Sequence, residues 1–142
     1  MRKIFTLVFI LLVFLYGSFA NAQDASTKPT SQVIAYYFHG DLRCPTCYML
    51  EQYSKEALET NFKKELASGK LVFRAVNTDE KVNKHFVNDY QIYTKSLVLS
   101  LVKDGKETKS KNLTKIWEYV SNRQKFFGYV TEEVNNFLKE AQ

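Results

Sequence analysis

The sequence predicts an α/β fold, a central mixed four-stranded sheet flanked by helices. Three observations predict it. Two β-branched and aromatic runs, Val33 to Phe38 and Lys70 to Val76, are separated by a long stretch of helical periodicity. Two later runs are joined by Asp104-Gly105, a strong two-residue hairpin signal. Apolar-periodic stretches then close the chain. A strand–helix–strand unit needs a right-handed crossover, which makes its strands parallel, and the hairpin adds two antiparallel ones.

The first 22 residues read as a secretory signal peptide. Arg2 and Lys3 precede an almost wholly apolar run from Ile4 to Tyr16, and Ala20-Asn21-Ala22 has the small-x-small form of a cleavage site. The rival reading is an uncleaved anchor, but the run is short against the roughly 20 residues that span a bilayer. A periplasmic or extracellular location is therefore expected. Residues 23–31, polar and holding Pro29, read as a flexible lead-in, and residues 32–142 as one domain. The whole chain has a net charge of +5, of which the leader holds two bases and no acid. The remaining lysines are scattered, which gives no case for a nucleic-acid partner.

Val33 to Phe38 is apolar or aromatic at every position, as in a central strand buried on both faces. His39 to Arg43 is a loop. Pro45 suits the first position of a helix, where its missing N–H costs nothing. Leu50, Tyr53, Ala57, Leu58, Phe62 and Leu66 carry that helix to about Ser68, and Gly69 stops it. After the second strand, Asn77 with Glu80 three residues on predicts a capping box for the next helix, with Val82, Phe86 and Tyr90 on one face. Ser96 to Val102 is a third strand, and the lysine-rich Glu107 to Lys111 suits an exposed edge. Leu113, Ile116, Trp117 and Val120 mark a helix in which Trp117 packs. Thr131 with Glu132 and Glu133 opens a last helix, whose apolar face is Val134, Phe137, Leu138 and Ala141.

The only two cysteines are Cys44 and Cys47, in Cys44-Pro45-Thr46-Cys47 at the start of the first helix. Free N–H groups and the positive end of the helix dipole stabilise a thiolate there, so Cys44 should ionise easily. The pair can close a disulfide or share one soft metal or metalloid ion. A purely structural staple is the plain reading in an oxidising compartment. So small a loop removes little entropy from the unfolded chain, however, which favours chemistry over scaffolding.

With the cysteines at the first strand–helix junction, the chain resembles the thioredoxin-like fold over nearly all of residues 23–142. That resemblance implies a thiol–disulfide site in which Cys44 is the nucleophile and Cys47 the resolving thiol. Arg43 stands where familiar thioredoxins carry tryptophan. It is either a fixed cation that lowers the Cys44 pKa or a solvated charge. His39 is a third soft-metal ligand or proton relay, or simply bonds its loop. His85 reads as structural or partly exposed. The cis-proline usual at the start of the third strand is missing: the segment reads Tyr93-Thr94-Lys95-Ser96-Leu97. A trans bond follows, with Lys95 either a further charge near the thiols or a solvated lysine. Tyr36, Tyr37, Tyr48, Tyr53, Tyr90 and Tyr93 line a pocket or, more simply, are core with a polar tip.

A narrower resemblance rests on Tyr36-Tyr37-Phe38-His39-Gly40, Arg43-Cys44-x-Thr46-Cys47, Asn83-Lys84-His85-Phe86 and Tyr93 to Val98. These strings are similar to the exported thioredoxin-like proteins known as ArsF-type subunits of a nitrophenyl-compound nitroreductase. The resemblance implies a link to aromatic arsenicals and nitro compounds, and a membrane thiol-electron transporter or other redox protein as partner. The chain has no flavin or nicotinamide fingerprint, so no organic cofactor is expected and its part would be electron delivery. The expected function is thus thiol–disulfide exchange or electron delivery by Cys44 and Cys47, assisted by Arg43. The alternative is a soft-ion binding module formed by Cys44, Cys47 and His39.

Overall fold

The structure, a computed structural model, describes residues 29–142; the leader and most of the lead-in lie outside the described residues. The elements are β1 (Ser31–His39), α1 (Pro45–Asn61), α2 (Lys63–Ala67), β2 (Leu71–Asn77), a 3-10 turn (Lys81–Asn83), α3 (His85–Asp89), β3 (Ser96–Lys103), β4 (Lys106–Asn112), α4 (Ile116–Tyr119) and α5 (Arg123–Glu140). The strand order is β2-β1-β3-β4. β1 pairs parallel with β2 and antiparallel with β3, and β3 pairs antiparallel with β4. This is the expected mixed sheet, and the fold is thioredoxin-like.

β1 alternates between two cores. Val33, Ala35 and Tyr37 join Leu97, Leu99 and Leu101 beneath α1 and α5. Ile34, Tyr36 and Phe38 face the other way, where Ile92, Val98, Phe86 and Tyr90 cover them. Both faces of the strand are buried, as its unbroken apolar sequence requires. Asp104 and Gly105 both take positive φ, 49° and 78°, the backbone a type I′ hairpin demands. The exposed β4 turns Lys109 and Lys111 back onto Glu140 and Glu133 of α5.

Four expectations are corrected. The first helix does not run unbroken to Ser68. Phe62 leaves the helical region at φ −130°, ψ 38° and is buried. Beside it, the Asn61 amide donates to the Ala57 carbonyl at 2.8 Å, competing with the helix's own ladder. The chain is thereby redirected into α2 and the Gly69 stop at φ 72°. Asn77 does not cap a helix: it ends β2, and only the 3-10 turn and the five-residue α3 follow. Val82 accordingly stands exposed, away from Phe86 and Tyr90. The stretch around Leu113 to Val120 yields only the four-residue α4.

The last helix begins eight residues before Thr131, at Arg123. Its cap is Asn122, whose side-chain oxygen accepts the Lys125 N–H at 3.0 Å, and its buried seam is Phe126, Val130, Val134 and Phe137. Gly128 sits on the open side of that helix, where an added Cβ would meet nothing. Asn122→Ala is expected to lower stability by about 1 kcal/mol in urea unfolding, with Asn122→Asp retaining most of it, because an orphan N–H loses its acceptor.

Candidate functional site

The Cys44–Cys47 turn stands where β1 ends and α1 begins. Cys44 is the N-cap, with extended backbone (φ −91°, ψ 164°), and Pro45 opens the helix as expected. The two cysteines are disulfide-bonded, with Cα atoms 5.0 Å apart. Their environments differ sharply: Cys44 is exposed, whereas Cys47 is only 3% exposed. The Cys47 N–H donates to Cys44 Sγ at 3.2 Å, so the leading sulfur already holds a helix N-terminal donor. Below the turn, the buried Tyr37 hydroxyl donates to the Cys47 carbonyl at 2.6 Å. Burial pushes the Tyr37 hydroxyl up to about 12.

Arg43 is not a solvated charge. Its side chain is 16% exposed and ion-paired with Glu51, and its guanidinium carbon lies 4.2 Å above the Tyr48 ring. Arg43 Nε is buried without a hydrogen-bond partner among the described residues. The field that Cys44 feels from this side is therefore that of an ion pair, weaker than that of a free cation. Glu51 was not singled out from the sequence. Its position one turn beyond Cys47 was the available signal, since residues at i and i+4 share a helix face.

The turn is laced to the end of β2. The His39 carbonyl accepts both the N–H and the hydroxyl of Thr78, at 2.7 and 3.0 Å. The Asp41 N–H donates to Asp79 at 2.7 Å, and the Asn77 amide donates to Asp41 at 2.6 Å. Asp79 approaches Gly40 so closely that an added Cβ would lie 2.6 Å from its carboxylate oxygen. Asn77 thus serves the cysteine loop, and its side-chain oxygen accepts the Asp79 N–H at 3.0 Å, so it is not free to cap a helix.

His39 Nδ1 donates to the Gly40 carbonyl at 3.0 Å. Among the described residues no three His, Cys, Asp or Glu side chains are grouped to hold a metal ion. His39 lines a groove of about 300 Å³ with Phe38, Leu42, Ile92, Tyr93 and Lys95. Lys95 is half-buried there. His85 is exposed and bonds Asp89. Of the tyrosines, Tyr36 and Tyr37 are buried and Tyr90 is bonded to Glu107, while Tyr48 and Tyr93 stand exposed near the turn. No cis peptide occurs among the described residues. Trp117 is 37% exposed, and its indole N–H donates to the Lys95 carbonyl at 2.9 Å, a contact that periodicity did not signal.

No protein-family model matches the chain, and no curated protein matches it. Solved structures to which it is similar include Fasciola hepatica thioredoxin, 19% identical over 65% of this chain and 81% of that one, with a TM-score of 0.37. The oxidised thioredoxin of Plasmodium falciparum is 16% identical over 71% and 86%, with a TM-score of 0.41. Trxlp of Edwardsiella tarda is 20% identical over 73% and 91%, with a TM-score of 0.37. Scores of this size carry no argument of their own. The thioredoxin-like fold rests on strand order and pairing sense.

Tyr37 gives the site a pH signature. The unfolded chain releases the tyrosine proton from about pH 10 upward, while the fold keeps it to about 12. Its contribution to stability is whole below pH 10 and is lost as pH rises toward 12. Tyr37→Phe should make this alkaline limb shallower in denaturant titrations. It should also cost about 1 kcal/mol at pH 7 through the lost hydrogen bond.

Proposed function

We propose that the protein is a thiol–disulfide oxidoreductase working through Cys44 and Cys47. The observation that carries this reading is the contrast between an exposed Cys44 at a helix N-cap and a buried Cys47 whose N–H points at it. On reduction, that donor and the helix dipole favour the Cys44 thiolate. The thiolate attacks one sulfur of a partner disulfide, forming a mixed disulfide and releasing the partner's other sulfur as a thiolate. Cys47, deprotonated, then attacks Cys44 Sγ and releases the second partner sulfur. Two electrons pass to the partner, and the Cys44–Cys47 disulfide returns. Burial of Cys47 keeps the resolving sulfur from competing substrates.

The leader pattern supports a place outside the cytoplasm. A chain working there needs a reductant, for which a membrane thiol-electron transporter is the fitting donor. The narrower sequence resemblance supports a partner in the handling of aromatic arsenicals or nitro compounds, with this chain delivering electrons and the partner holding the chemistry.

The protein is expected to accelerate insulin disulfide reduction by dithiothreitol. Cys44→Ser should abolish that, and Cys47→Ser should accumulate a mixed disulfide visible by mass. A wild-type protein without turnover, whose disulfide resists mild reductant, would make the pair a structural staple. One thiophilic ion taken up per reduced protein, again without turnover, would make it a capture site.

A further inference from the structure

We propose that Trp117 is a positioning residue for partner docking: its indole N–H fixes the wall of the groove beside the disulfide against which a disulfide-bearing polypeptide lies. This rests on the exchange reading above. Phe38 pairs with Ser96 across β1 and β3, which sets Lys95 opposite His39, where the chain begins its turn toward Cys44. Thr94 and Lys95 form one wall of the groove, and His39, Gly40 and Leu42 form the other.

The segment before β3 has no proline to stiffen it and lies outside regular structure. Side chains hold it instead. The Ser96 hydroxyl donates to the Thr94 carbonyl at 2.9 Å, and the Asn112 amide reaches the Ser96 hydroxyl at 3.4 Å. The Trp117 indole N–H takes the Lys95 carbonyl from 22 residues away. Trp117 is itself held by α4, which Leu113 and Ile116 anchor with no exposed surface, and the Leu113 N–H bonds the Leu97 carbonyl at 2.8 Å. The ring belongs to neither core cluster.

The groove's rim identifies the class of partner. Leu42 and Tyr93, one on each wall, are 87% and 88% exposed, and Tyr48 and Met49 beside Cys44 are 57% and 38% exposed. Most of the large apolar side chains exposed among the described residues thus gather at the disulfide end of the sheet. A polypeptide with an apolar residue beside its cysteine fits that rim, and a fixed wall keeps its sulfur in line with Cys44.

The test is steady-state reduction of insulin by dithiothreitol with wild type, Trp117→Phe, Ser96→Ala and the double variant. Trp117→Phe keeps the ring and removes only the N–H. It is expected to raise KM for insulin three- to tenfold with kcat within twofold. Ser96→Ala should raise KM in the same direction. The double variant should show less than the product of the two effects, because both act through one segment. A Trp117→Phe KM indistinguishable from wild type, or a fall in kcat alone, overturns the proposal. A wild type that does not turn over insulin sinks the exchange reading instead. Exchange of the Trp117 indole N–H then tests the brace directly: in the folded protein it should be at least tenfold slower than in the denatured chain, and unprotected exchange overturns the brace.

Discussion

The central strand is hydrogen-bonded along both edges and buried on both faces. A strand held this way has no freedom to slide, because a one-residue slip would exchange Val33, Ala35 and Tyr37 with Ile34, Tyr36 and Phe38 between two differently shaped cores. Its C-terminal end is therefore a fixed point. The cysteine turn grows directly from that end, and the lacing of His39, Gly40 and Asp41 to Asn77, Thr78 and Asp79 carries the rigidity one loop further. Sequence sets the strand, packing sets its register, and register sets where sulfur meets solvent.

From that fixed point, helix geometry separates two chemically identical residues. At the N-cap, Cys44 lies outside the helical cylinder, while Cys47, one turn inside, is turned under it against Tyr37. The surroundings then moderate the leading sulfur. Arg43 spends its charge on Glu51 and its flat face on Tyr48. What remains near Cys44 is the dipole of α1 and the N–H of Cys47, effects that fall off within a helical turn.

The sequence spoke clearly wherever one residue type admits few backbones. Pro45 marked the start of α1, Gly69 the stop after α2 and Asp104-Gly105 the hairpin, and the apolar run of β1 announced burial on both faces. It was silent where the deciding contact lay far along the chain. Asn77 reads locally as a cap, but its amide donates to Asp41, 36 residues earlier, and its oxygen accepts the Asp79 N–H. Phe62 continues a helical period, yet its burial turns the backbone. Thr131 with Glu132 and Glu133 looked like a helix start, whereas Asn122 had already begun the helix and the seam from Phe126 to Phe137 holds it against the sheet. At the site, the two cysteines were legible from spacing. The Arg43–Glu51 pair and the Trp117–Lys95 contact were not, since periodicity assigns a side chain to a face and says nothing of what its polar end will meet.

The chain contains a single tryptophan, and its ring nitrogen rests on the backbone carbonyl of Lys95. All indole emission from this molecule therefore originates at one place, against the Lys95 carbonyl at the groove that His39 and Lys95 line. Indole fluorescence is shifted by hydrogen bonding and by water reaching the ring. The protein thus carries its own optical probe at the rim where its chemistry would be done, and it needs no added dye.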